Sequence, residues 1–139
     1  MDVDKLVKAL DDESNEQLMN LTTDKIWEMN LNVLKELQLN KNDTIDLFKR
    51  LKEYIYVDEM KDLKYGTYLR WIPLNNPHDI HLTKGALFCE LKITDNGVNI
   101  VCKNYNNRCF QIKMDECLLF RKLTDQEHVL LSALDHLSK

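Results

Sequence analysis

A chain of 139 residues with 44% hydrophobic and 30% charged side chains has the size and balance of one domain that buries a core without disulfides or metal, which excludes wholesale disorder. Its 3 glycines are too few for a phosphate-binding loop or a dinucleotide fingerprint. The net charge of −4 is divided: residues 1–63 carry 15 acidic and 9 basic side chains and residues 64–139 carry 8 and 10, so neither half holds the basic run expected of a strong nucleic-acid or anionic-membrane binder.

The N-terminal Met1-Asp2-Val3-Asp4-Lys5 has neither the basic start nor the apolar run of a secretory signal, and no stretch reaches the roughly 18 apolar residues of a membrane span. The expected setting is intracellular and reducing, with Cys89, Cys102, Cys109 and Cys117 as free thiols and no membrane contact. Asp4–Leu10 reads as a short helix ending in Asp11-Asp12-Glu13, acids that suit a helix C-terminus badly, so weak docking is expected. Ser14-Asn15-Glu16-Gln17 has the form of a capping box. From Thr23, capped by Thr22 or Thr23, the residues Ile26, Met29 or Asn30, Val33, Leu34 and Leu37 recur at helical spacing. Asn40-Lys41-Asn42 reads as a turn, and a second helix capped by Asn42 or Asp43 sets Ile45, Phe48, Leu51 and Ile55 on one face. The two helices are expected to form a hairpin.

The period then changes to two. Tyr65–Ile72 is rich in β-forming residues and closed by Pro73, and Leu74–Leu82 is the longest loop. Lys84–Ile93 alternates with Leu87, Cys89, Leu91 and Ile93 on one face, and Asp95-Asn96-Gly97 predicts a type I′ hairpin turn. Val98, Ile100 and Cys102 line the return strand, and Asn104-Tyr105-Asn106-Asn107 makes the next turn. Arg108–Lys113 and Glu116–Arg121 follow as short strands around Met114-Asp115. Thr124-Asp125-Gln126-Glu127 is a capping box that starts a helix with Leu130, Ala133, Leu134 and Leu137 as its stripe. The pattern predicts an α+β fold: a helical region over 1–60, a five-stranded antiparallel SH3-like or OB-like small barrel over 61–123, and a helix over 124–139, all in one structural unit.

Little in the chain carries visible chemistry. The cysteines are separated by 12, 6 and 7 residues, with no Cys-x2-Cys knuckle of the kind that holds zinc, and those in strands are expected to fill the core. His78 and His81 are a two-residue start to a metal site with no third ligand in sight. Adjacent acids such as Asp58-Glu59 and Asp115-Glu116 point in different directions and read as solvated surface, not as an acid–base pair. No nucleophile elbow or metalloprotease helix is present, so no catalytic residue and no cofactor is expected. The richest strip is Tyr65–Ile72. Together with Lys103, Tyr105 and Arg108, the residues Tyr68, Arg70 and Trp71 could form a surface for a protein segment or for single-stranded nucleic acid. In a strand Thr67, Leu69 and Trp71 face one way and Tyr68, Arg70 and Ile72 the other, and the stronger reading has Trp71 and Tyr68 filling the core and Arg70 paired with an acid. Met19 and Trp27 lie off the helical stripes and are candidate partner contacts.

The strings Lys52–Val57, Leu63–Ile72, Val101–Asn104 and Cys117–Leu123 resemble small proteins encoded by nucleocytoplasmic large DNA viruses, the giant viruses of protists. The resemblance covers about Val33 to Leu137 and carries no established activity or site residue. It implies a viral origin, expression in the cytoplasm or nucleus of an infected cell, and packaging in the particle. The expected function is a non-catalytic interaction protein that binds a protein partner, with a nucleic-acid-binding barrel and an enzyme of non-local site as the alternatives.

Overall fold

The computed structural model describes residues 3–138, which form four α-helices and one six-stranded antiparallel sheet. The chain divides into two compact units. One joins the N-terminal stretch up to Ile55 with the chain from Leu123 onward; the other is Tyr56–Lys122.

The first unit is helical. α1 (Val3–Asp11) ends at Asp12, whose side chain caps a 3-10 helix over Glu13–Leu18 by accepting from the Ser14 N–H at 2.9 Å. The cap is therefore Asp12, not Ser14. α1 is anchored as well: Ala9 is wholly buried, and Asn15 Nδ2 donates to its carbonyl at 3.0 Å, satisfying a terminal acceptor that the flanking acids cannot. α2 (Thr23–Lys35) is capped by Thr22 and buries Ile26, Asn30 and Leu34 at four-residue spacing. Asn30 is admitted to that stripe because its Nδ2 donates to the Tyr54 carbonyl at 2.9 Å. α3 (Lys41–Arg50) starts earlier than its sequence suggests, with Asn40 accepting from Asp43 N–H at 2.8 Å, and buries Thr44 and Leu47 while Ile45 is exposed. α4 (Asp125–Leu137) has the expected capping box between Thr124 and Glu127. Thr23 N–H and Oγ1 donate to the Asp135 carboxylate at 2.8 and 2.6 Å. Ala9, Leu18, Ile26, Ile55, Leu123, Leu130 and Leu131 form the core of this unit.

The strands are β1 (Tyr54–Val57), β2 (Tyr68–Pro73), β3 (Ala86–Thr94), β4 (Gly97–Lys103), β5 (Cys109–Lys113) and β6 (Cys117–Lys122). Their order in the sheet is β1-β6-β2-β3-β4-β5. This corrects the five-stranded barrel twice. There is a sixth strand, because α3 stops at Arg50 and the β-favouring run Tyr-Ile-Tyr-Val takes over where Ile55 mimics one more helical turn. The sheet is also open: among the described residues no ladder joins β5 to β6 or β1. It is nevertheless curled, since Trp71 of β2 and Phe110 of β5 stand with ring centroids 5.9 Å apart. Val57, Leu69, Trp71, Ala86, Phe88, Ile100, Cys102 and Leu119 pack inside the curl.

Two details of β3 and β4 depart from simple alternation. The register breaks between Phe88 and Glu90, so Cys89 sits in a bulge, and Phe88, not Leu87 or Cys89, enters the core. In the hairpin after Thr94 the left-handed conformation falls on Gly97 alone (φ 114), not on Asn96, so the turn is not type I′. Gly85 (φ 93) is the most crowded of the three glycines, where a Cβ would run into the Leu69 carbonyl oxygen. Gly85→Ala is expected to cost more than about 1 kcal/mol, because both the φ and the close approach exclude a side chain. Urea unfolding followed by circular dichroism checks this, and an unchanged midpoint refutes it.

Candidate functional site

β5 and β6 are joined by a single 3-10 turn, Met114–Glu116, although β6, β2, β3, β4 and β5 are consecutive strands of the sheet. The open side of the curl therefore lies at this turn, and a hollow flanks it on either side. The smaller, of about 380 Å³, is lined by Trp71, Pro73, Asn75, Ile112, Lys113 and Cys117, with Gln111 and Glu116 at its margin. The larger, of about 510 Å³, is lined by Val57, Leu74, Val98, Met114 and Leu118, with Asp58 and Asp115 among them. Cys117 lines both, so the two hollows adjoin at the turn and together make up its groove.

The walls follow from local chemistry. β2 ends at Pro73, and Leu74 N–H donates to the Glu116 carbonyl at 2.9 Å, which ties the start of the long loop to the 3-10 turn. Trp71 presents its ring to the inside of the curl. Four charges border the groove. Lys113 Nζ meets Glu116 Oε1 at 3.9 Å, a loose exposed pair worth little. Asp58 and Asp115 have no ion-pair partner among the described residues, so the groove is apolar with an acidic margin.

Cys117 is the groove's one thiol. Burial above all, and the nearby Glu116 and Asp115 carboxylates, push its pKa up to about 12. Its Sγ donates to the Lys113 and Met114 carbonyls at 3.5 and 3.8 Å. It is a neutral thiol at physiological pH, not an activated nucleophile.

The residues singled out in the sequence are placed elsewhere and divided. Tyr68 Oη donates to the Lys84 carbonyl and Arg70 Nε to the Thr83 carbonyl, both at 2.9 Å, so these two clamp the return of the 74–85 loop onto β2. Trp71 faces the opposite way, into the curl. The register Tyr68–Leu87–Lys103–Cys109 brings Tyr68 and Lys103 into one row on the outer face of the sheet. Tyr105, 92% exposed, and Arg108 lie in the turn beyond that row. In the helical unit Met19 is exposed, while Trp27 is occupied: its Nε1 donates to the Lys52 carbonyl at 3.1 Å and its ring meets Phe48 edge-on at 6.3 Å. His78 and His81 are exposed, with His81 Nδ1 3.3 Å from an Asp79 carboxylate oxygen. Among the described residues no three His, Cys, Asp or Glu converge as a metal site. Cys89 and Cys109 are exposed, against the core role expected of strand cysteines, because one sits in the bulge and the other on the outer face of an edge strand.

Comparison with known proteins finds no match: no family model, no curated protein and no solved structure is similar to this chain. Among the described residues no helix is long and apolar enough to cross a membrane.

The thiols divide sharply. Cys102, wholly buried, is also pushed up to about 12, by burial first and then by Cys89 and Cys117. Titration of the native chain with a disulfide reagent at pH 8 is expected to find Cys89 and Cys109 fast and Cys102 and Cys117 reactive only after unfolding. Because the folded values of Cys102 and Cys117 lie above the ordinary thiol value of 9.0, the stability they contribute is complete below pH 9 and lost as pH climbs from 9 toward 12. Rapid labelling of all four thiols in the native state refutes the assignment.

Proposed function

We propose that this chain is a non-catalytic interaction protein whose groove around Met114–Glu116 holds an extended, cationic and partly apolar segment of a protein partner. The observation that carries this is the pair Asp58 and Asp115, two carboxylates without an ion-pair partner among the described residues, on the rim of a hollow floored by Leu74, Val98, Met114 and Leu118. Apolar side chains leave water for the floor, and a lysine or arginine beside them gains two carboxylates. With the virus-encoded origin that the sequence resemblance implies, the partner belongs to the infected cell or the particle.

Selection of a random dodecapeptide phage library on the immobilised chain tests the proposal. Enriched clones are expected to carry Lys or Arg next to apolar residues and to lose about tenfold or more in affinity for the Asp58→Asn/Asp115→Asn double variant. No enrichment, or clones that bind the double variant equally well, refutes it.

A second reading rests on the outer sheet face. There Arg70, Lys92, Lys103 and Lys113 accompany one acid, Glu90, with Tyr68 between the rows, an arrangement that suits single-stranded nucleic acid. A labelled oligothymidine is then expected to bind with a steep loss in salt and to be weakened severalfold by Lys92→Glu/Lys103→Glu. Indifference to that double variant dismisses this reading.

A further inference from the structure

We infer that the partner segment binds as an added β-strand along the free edge of β5; this rests on reading the groove as a peptide site and specifies how the peptide is held. β5 is the last strand of the sheet. Asn104 N–H donates to the Arg108 carbonyl at 3.0 Å, which makes residues 104 and 108 a hydrogen-bonded pair at the end of the β4–β5 ladder. Hydrogen-bonded and non-hydrogen-bonded pairs alternate along an antiparallel ladder. Phe110 and Ile112 therefore turn their N–H and C=O groups toward β4, and Cys109, Gln111 and Lys113 turn theirs outward. Among the described residues no backbone group meets those outward donors and acceptors, and the Lys113 carbonyl receives only the weak S–H contact of Cys117.

The edge also lacks two of the usual protections, a bulge and a proline. The register with β4 is unbroken from Asn99–Lys113 to Lys103–Cys109, so no bulge twists the edge away, and β5 contains no proline. Its outward side opens on the smaller hollow, where Trp71, Ile112 and Cys117 offer an apolar bed to alternate side chains of an added strand. β5 then runs directly into the turn that carries Asp115, so one extended segment reaches the backbone edge and the acidic rim together. The two rim carboxylates without an ion-pair partner among the described residues favour a cationic peptide as the occupant.

The test uses the full chain, labelled with 15N, and a peptide enriched in the selection above. Amide exchange at Cys109, Gln111 and Lys113 is expected to slow by about tenfold or more on binding, while Phe110 and Ile112, already bonded to β4, change little. N-methylation of the peptide at every second residue is expected to cost about fivefold or more each, with the intervening positions tolerant. Gln111→Pro removes an outward N–H without touching the β4 ladder and is expected to weaken the peptide by a similar factor. Unchanged β5 exchange together with tolerance of N-methylation throughout, in a peptide that still depends on Asp58 and Asp115, overturns strand addition and leaves the groove proposal standing. β5 protection that rises with protein concentration in the absence of peptide overturns it in favour of self-association. A selection without enrichment removes both.

Discussion

The sheet unit is governed by a length mismatch. β6 and β5 are separated by three intervening strands, which in a flat sheet would set them about 19 Å apart at the usual strand spacing. The chain joins them through Met114–Glu116 alone, a 3-10 turn that rises only about 2 Å per residue. No flat arrangement satisfies both, so the sheet must curl until its two sides nearly meet. The curl brings Trp71 onto Phe110 and encloses Phe88, Ile100 and Cys102 without a second layer of helices from within the unit. The clamp of Tyr68 and Arg70 on the loop return, and the close pass of Gly85 over Leu69, hold β2 and β3 in register on the far side of that bend.

What the bend does not do is close the ladder. Side chains, not backbone hydrogen bonds, meet across the seam, and they leave unfilled space on both sides of the turn. An open seam exposes peptide groups and apolar side chains in one place, a combination that costs stability and is also the requirement for holding another chain. The acids at the seam add a sign to it. Burial first, and then the Glu116 and Asp115 carboxylates, disfavour ionisation of Cys117, so the seam is negative at its rim and neutral at its floor.

Much of the fold was legible in the sequence, and the failures have physical causes. The helices of residues 23–50 and 124–137 could be read because caps and apolar spacing agree there, and the β-rich middle because its period is two. β1 was hidden by Ile55, which fits the spacing of Leu51 in a helix and the alternation of a strand alike. The bulge at Cys89 inverted the face of β3, since alternation cannot register one extra residue. The groove was not legible at all. Its residues come from strand ends and from a turn, and they converge only because β5 and β6 are neighbours in sequence but not in the ladder. Asp115 and Glu116 are solvated as the sequence suggests, but nothing near them in sequence announces that Asp58 and Leu74 line the same hollow as Asp115. Alternation along β2 does separate Trp71, which enters the core, from Tyr68 and Arg70, but nothing in the sequence indicates that these two clamp the loop return.

The helical unit has a core assembled from both ends of the chain, with Ala9, Leu18 and Ile26 packed beside Leu123, Leu130 and Leu131. During synthesis its first helices are made long before their partner. At about 5–20 residues per second the ribosome needs roughly 6–25 s to travel from Ala9 to Leu130. For that interval the apolar stripes of α1 and α2 face solvent or the chaperones of the cell, while the sheet unit, contiguous from Tyr56 to Lys122, has all its strands before the last helix exists. The order of folding is thus written into the order of the chain, with the middle able to finish first and the two ends meeting last.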